Sequence, residues 1–224
     1  ILSDKVLIMD KKEYNALNIN YEEIERYLRA GKLIIYPTDT VYGVGGIIES
    51  EETIENIYKA KERNFKSPLI VLVSDVEKIE KIAYINEKNR EKIEKLIKRF
   101  WPGGLTIILK RKDNVPDIMV SGGATVGVRM PEHEIALNII SRAGGMLPTT
   151  SANISGEATP KSYLELSEEF KSRVDIIVDG GECPIGSAST IIDMSDEPKI
   201  LRLGAISVEE IEKVIGKING EEKN

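Results

Sequence analysis

The sequence predicts one mixed α/β domain, and three observations carry that expectation. Short apolar, β-branched runs of strand length recur along the chain. Between them lie longer stretches with apolar residues at helical spacing. No internal repeat, low-complexity linker or shift of composition divides the 224 residues, a length that one large domain can fill.

Taken in order, Asn20 with Glu23 fits a helix capping box, and Ile24, Tyr27 and Leu28 give the helix one apolar face. A strand follows at Leu33–Tyr36. Ser50 opens a second helix with Ile54, Ile57 and Tyr58 turned inward, and Leu69–Val73 reads as the next strand. Residues 86–100 repeat apolar positions at Ile93, Leu96, Ile97 and Phe100 and are stopped by Pro102. Strands are expected at Thr106–Lys110 and Thr125–Val128, then a helix over 132–143 begun by Pro131 and Glu132. Met146–Leu147, Asp175–Val178 and Thr190–Ile192 complete the strands. Ser207 with Glu210 caps a last helix with Ile211, Val214, Ile215 and Ile218 inward, and Asn219–Asn224 reads as a solvated tail.

Composition narrows the function classes. Acidic residues number 37 against 31 basic, a net charge of −6. That argues against generic nucleic-acid or membrane binding, which relies on a basic surface, while leaving room for a local basic cleft. The abundance of Lys and Glu and the absence of Gln resemble a thermophile composition. Cys183 is the only cysteine, so no intrachain disulfide forms and a cytoplasmic location is expected. His133 is the only histidine, which excludes a His-rich metal site and any Ser-His machine using another imidazole. No stretch approaches the ~20 apolar residues of a membrane span, and the apolar part of ILSDKVLIMDKKEY is too short for a signal peptide.

Rare residue types gather at the predicted strand ends, where open α/β sheets hold their ligands. Pro37-Thr38-Asp39-Thr40 leads into Tyr42-Gly43-Val44-Gly45-Gly46. A strand turning through a glycine loop would explain this, and so would a hydroxyl-rich ligand loop that a ligand approaches closely. It is neither a dinucleotide fingerprint nor a P-loop. Lys61, Arg63 and Lys66 precede Ser67-Pro68. They suit a solvated helix C-terminus, or a clamp on a triphosphate from cations without a core role. Trp101-Pro102-Gly103-Gly104 reads as core packing with a turn. Arg129 ends a strand before a helix start, placed for a surface ion pair or for gripping a carboxylate. Thr149-Thr150-Ser151-Ala152-Asn153 could cap a helix, but no helical pattern follows at once, which favours a polar binding loop. Ser187–Thr190 with Arg202 fits a β-hairpin edge almost as well as a site. Such a set holds and polarises anions, as in phosphoryl or nucleotidyl transfer, and it lacks a nucleophile paired with a base.

At these segments the chain resembles the YrdC family, the threonylcarbamoyl-AMP synthases, over roughly 20–205. The family pattern K-x-R…S-x-N falls on Lys61, Arg63, Ser151 and Asn153, which the resemblance makes the catalytic set. Around it stand Pro37–Val44, the W-P-G stretch and the V-R-M-P stretch. The resemblance implies a twisted mixed sheet surrounded by helices, with a wide, basic cleft, in one domain over 1–224. It implies that L-threonine, bicarbonate or CO2, and ATP give threonylcarbamoyl-adenylate and pyrophosphate. Mg2+ is carried on the ATP phosphates, with no protein side chain assigned as metal ligand. The product passes to a KEOPS-type tRNA threonylcarbamoyl transferase complex. By the same carry-over Thr40 and Arg129 contact threonine, with Thr149 and Ser189 near it. Lys61, Arg63, Ser67, Thr125, Ser151, Asn153, Thr159 and Arg202 line the ATP side.

Two departures accompany the match. Some members carry a His in the strand where this chain has Leu72, which removes one polar contact to threonine. Longer relatives add a second domain, so the short, single-domain form is expected. Two rival readings stand beside the synthase. One is a carbamoyl-adenylating enzyme using carbamoyl phosphate, as in hydrogenase maturation proteins. The other is a non-catalytic binder of double-stranded RNA or tRNA.

Overall fold

The computed structural model describes residues 9–218. The tail read at Asn219–Asn224 and most of the N-terminal segment lie outside them. The strands are β1 (Lys12–Asn15), β2 (Ile34–Tyr36), β3 (Gly43–Gly45), β4 (Ile70–Val73), β5 (Ala83–Tyr84), β6 (Leu105–Arg111), β7 (Thr125–Arg129), β8 (Met146–Ser151), β9 (Ile176–Asp179), β10 (Thr190–Asp193) and β11 (Lys199–Arg202). The helices are α1 (Tyr21–Arg29), α2 (Glu51–Lys61), α3 (Ile79–Ile82), α4 (Arg90–Phe100), α5 (Glu134–Arg142), α6 (Glu168–Ser172) and α7 (Val208–Ile215).

One mixed sheet joins all the strands, in the order β1-β9-β2-β3-β8-β4-β7-β6-β10-β11, with β5 added beside β6. The pairs β1/β9, β9/β2, β4/β7 and β6/β10 are parallel. The pairs β2/β3, β3/β8, β8/β4, β7/β6 and β10/β11 are antiparallel.

Because side chains alternate along a strand, the sheet has two separately packed faces. The first buries Ile35, Val71, Ile107, Val128 and Ile192. Ile54 and Ile57 of α2, Ile93 and Leu96 of α4, and Ile211 of α7 pack there. On the second face Ile34, Leu72, Leu147 and Ile176 pack against Ile24 and Leu28 of α1 and Ile139 and Ile140 of α5. This second core holds, among the described residues, no residue of β6, β7, β10 or β11. The two helices therefore roof half of that face. The other half carries the functional side chains.

The helix starts follow their caps. Asn20, Ser50 and Ser207 each accept a hydrogen bond from the backbone N–H three residues on. Trp101 is buried, with its indole N–H donating to the Leu105 carbonyl at 2.7 Å, as core packing requires.

Four strands have weaker sequence signals than the seven predicted. β1, β5 and β11 are short and lie at the margins of the sheet, and β3 is Gly-Val-Gly with one side chain to pack. Gly43 and Gly45 are required there by neighbours: a Cβ at Gly43 would lie 2.7 Å from Thr149 Cγ2, and one at Gly45 2.8 Å from the Pro148 carbonyl. The glycine loop expected after Thr40 is thus an interior strand. The polar loop expected at Thr149–Ser151 is also a strand end, held between β3 and β4.

Candidate active site

The open half of the second face floors a cleft of about 390 Å³. β7 supplies it with Thr125, Gly127 and Arg129, alternate residues of one strand. Val126 and Val128 between them point into the first core. Thr149, Thr150 and Ser151 at the end of β8 also border the cleft. Gly127 keeps the floor low: a Cβ there would lie 2.9 Å from Ile70 Cγ2 and 3.3 Å from Thr106 Cγ2.

Arg129 is buried, with 2% exposure, and its carboxylate partner Asp39 is buried to the same degree. Arg129 Nη2 donates to Asp39 Oδ1 at 3.0 Å, and Nη1 donates to Thr40 Oγ1 at 2.9 Å. Burial holds the guanidinium below its ordinary pKa, and the Asp39 carboxylate opposes that shift. The Thr38 hydroxyl donates to the Val41 carbonyl at 2.6 Å and lies 3.1 Å from Thr40 Oγ1, which ties the loop to itself. Thr149 Oγ1 donates to the Leu147 carbonyl at 3.0 Å and receives the Tyr36 hydroxyl at 2.7 Å.

At β10 and β11, Arg202 donates from Nε and Nη2 to the Ser189 carbonyl at 3.1 and 2.8 Å, and from Nη2 to Ser189 Oγ at 3.2 Å. Ser189 in turn meets Thr106 Oγ1 at 2.8 Å. Burial lowers the Arg202 pKa, and the charge of Arg129 adds to that. Arg63 is anchored by Nε on the Ser67 carbonyl and Nη2 on the Pro68 carbonyl, both at 3.1 Å.

Of the residues singled out from sequence, Thr40, Arg63, Thr125, Arg129, Thr149, Ser151, Thr159, Ser189 and Arg202 line this cleft. Lys61, Ser67 and Asn153 do not. Ser67 serves through its carbonyl, as the seat of Arg63.

Lys61 requires a correction. It is not a cation without a core role: it is 1% exposed, the last residue of α2. Its ammonium donates to the carbonyls of Ser151 and of Asn153, the latter at 2.7 Å, with Ser151 Oγ and Asn153 Oδ1 at 3.5 and 3.4 Å. Burial first, then the neighbouring Arg63 charge, bring its pKa down to about 7. The K-x-R and S-x-N segments are thus joined by a buried lysine under the turn. Asn153 braces the same turn from within, donating to the Ile154 and Glu157 carbonyls at 3.1 and 3.0 Å. Asp39 and Tyr36 were not singled out for roles. Asp39 stands inside the Pro37–Thr40 segment, whereas the Tyr36 contact has no signal in the sequence.

A sheet face half roofed by helices, with three arginines and a row of hydroxyls lining its open half, defines an α/β protein equipped to grip a polar, anionic ligand. The family model Sua5_yciO_yrdC, described as "Telomere recombination", matches residues 26–204. The threonylcarbamoyl-AMP synthase of Pyrococcus abyssi is 43% identical over 193 residues, covering 86% of this chain and 56% of that protein. The threonylcarbamoyl-AMP synthase of Bacillus subtilis is 39% identical over 194 residues, covering 86% and 55%. Among solved structures, P. abyssi Sua5 complexed with L-threonine superposes with a TM-score of 0.84 at 40% identity, covering 92% of this chain and 61% of that one. The chain belongs to the Sua5/YciO/YrdC family. It spans little more than half the length of these two synthases.

Proposed function

We propose that this chain forms L-threonylcarbamoyl-adenylate from L-threonine, bicarbonate or CO2, and ATP, releasing pyrophosphate. The observation that carries the reading is the cleft itself. Arg129 with Thr40, and Arg63 with Arg202 and Ser151, line one recess on one sheet face. The reaction needs such a pairing of an amino-acid carboxylate site with a triphosphate site. Two relatives named threonylcarbamoyl-AMP synthase, and a relative complexed with L-threonine, support the same assignment.

In this reading Arg129 and Thr40 orient threonine, with Thr149 and Ser189 alongside. The neutral threonine amine attacks CO2 and gives up a proton, or attacks bicarbonate with loss of water, and either route yields a carbamate. A carbamate oxygen then attacks the α-phosphorus in line, and pyrophosphate departs. Arg63 and Arg202 offset the charge that builds on the phosphates, with Ser151, Thr125 and Thr159 along the nucleotide. Lys61 and Asn153 act through the turn that presents Ser151. In this reading Mg2+ arrives on the ATP phosphates, and no protein side chain is assigned as its ligand. Bound there, Mg2+ would supply Lewis-acid stabilisation of the charge on the transferred adenylyl group and the departing pyrophosphate. Leu72 lines the cleft in register with Arg129 and gives that end an apolar wall.

The product would serve a tRNA threonylcarbamoyl transferase complex of the KEOPS type in the cytoplasm. No described helix is long and apolar enough to cross a membrane.

The test is pyrophosphate release from ATP, expected only when threonine and bicarbonate are both present. Serine should turn over less well, because one methyl in an apolar pocket is worth about 1–3 kcal/mol. Release that ignores threonine would overturn the assignment, and release driven by carbamoyl phosphate would favour the hydrogenase-maturation type of reaction.

A further inference from the structure

We propose that Asp39 is a positioning residue: it fixes the Arg129 guanidinium in the orientation from which that group meets the carboxylate of the amino-acid substrate. The proposal rests on the reading of the cleft given above. Asp39 is as buried as Arg129, so it is not a solvated surface partner. Unlike Arg129 and Thr40, it does not line the cleft. It acts on the substrate through the arginine.

The geometry of the pair is unlike that of a purely structural salt bridge. A side-on pairing would engage Nε and one Nη with both carboxylate oxygens. Here only Oδ1 is engaged, by Nη2, while Nη1 is taken by the next residue, Thr40. Arg129 Nε and Asp39 Oδ2 are both buried without a partner. Buried polar atoms are almost always satisfied, so two orphans in one pair indicate a geometry held for another purpose. Consecutive residues of one loop grip the two terminal nitrogens separately, and this sets the plane of the guanidinium.

The loop is itself immobilised. The amide of Ile185 donates to the Asp39 carbonyl at 2.8 Å, and the amides of Thr40 and Val41 donate to Thr38 Oγ1 at 3.2 Å. On β4, one of the two strands beside β7, the residue in register with Arg129 is Leu72, which offers no competing acceptor.

Two substitutions test the placement. D39N is isosteric and removes the charge. D39E keeps the charge that compensates Arg129 but moves the carboxylate by one methylene, so it remains informative should D39N not fold. Each should raise the threonine KM about 10-fold or more, the scale of one charge-assisted hydrogen bond. The ATP KM should stay within about 2-fold. Since Asp39 acts through Arg129, adding D39N to R129K should raise the threonine KM less than about 2-fold further. A wild-type threonine KM in either single variant, a parallel rise for ATP, or an additive effect in the double variant would overturn the proposal. The Arg129 Nε–H resonance, assigned by its loss in R129K, reports the hold without any substrate. It should shift in D39N and D39E, and an unchanged resonance would overturn the proposal even if the cleft proved to take a different substrate. Failure of the wild type to use threonine would overturn the reading of the cleft instead.

Discussion

Two cations of the strand-end and helix-end segments carry their charge into the protein interior and meet opposite fates there. Arg129 finds a carboxylate, Lys61 only neutral oxygens. Lysine can shed its proton when buried; arginine keeps its own. The Lys61 pKa of about 7 lies below the ordinary 10.5, so the unfolded chain holds that proton more tightly. Stability should therefore rise with pH from about 7 towards 10.5, by up to about 1.4 kcal/mol per pH unit. Urea melts of the wild type and K61M between pH 7 and 9.5 check this: the rise should be absent in the variant. Arg129→Lys keeps charge but loses the fork, and should raise the threonine KM about 10-fold while leaving ATP binding unchanged. Titrating each substrate separately decides it. The sequence showed which residues to suspect, because Lys61, Arg63 and Arg129 stand at element ends. It could not show that Lys61 faces the turn at Ser151–Asn153, since that contact is made between distant parts of the chain.

At the scale of elements, what could be read depended on whether an element announces itself locally. α1, α2 and α7 did, through a cap residue and an apolar stripe. β4 did, through an unbroken apolar run, and β6 did, through the apolar Ile107–Leu109 at its centre. β3 did not: its glycines answer to Thr149 and Pro148 on the adjacent strand rather than to any pattern of its own. The capping box of α7 is fully formed, with Ser207 Oγ accepting from the Glu210 amide at 3.2 Å and Glu210 Oε2 accepting from the Ser207 amide at 3.0 Å. Ser207→Ala should cost about 1 kcal/mol. A lowered urea midpoint with unchanged steady-state kinetics would show that α7 braces the first face without reaching the cleft.

For the molecule as a whole, the α/β class followed from the run of strands and helices, but the order of strands in the sheet has no local signature. Net charge is also a property of the whole, and at −6 it opposes generic association with an RNA backbone. Filter binding of tRNA at physiological salt should therefore give a dissociation constant no tighter than the ~10⁻⁴–10⁻⁶ M of non-specific association. Nanomolar, saturable binding would favour the RNA-binding reading over the enzyme.

The strand order also governs when the cleft comes into being. Lys12 lies beside Ile176, Gly43 beside Ser151 and Leu105 beside Thr190. During synthesis β2 and β3 emerge early and can pair with each other, but must wait for β9 and β8 before either has its second neighbour. Refolding should accordingly be slow, in the ~millisecond-to-second range typical of distant pairings. Substrate-binding capacity should return with the last phase in stopped-flow, because the recess exists only once the final hairpin has closed over its far side.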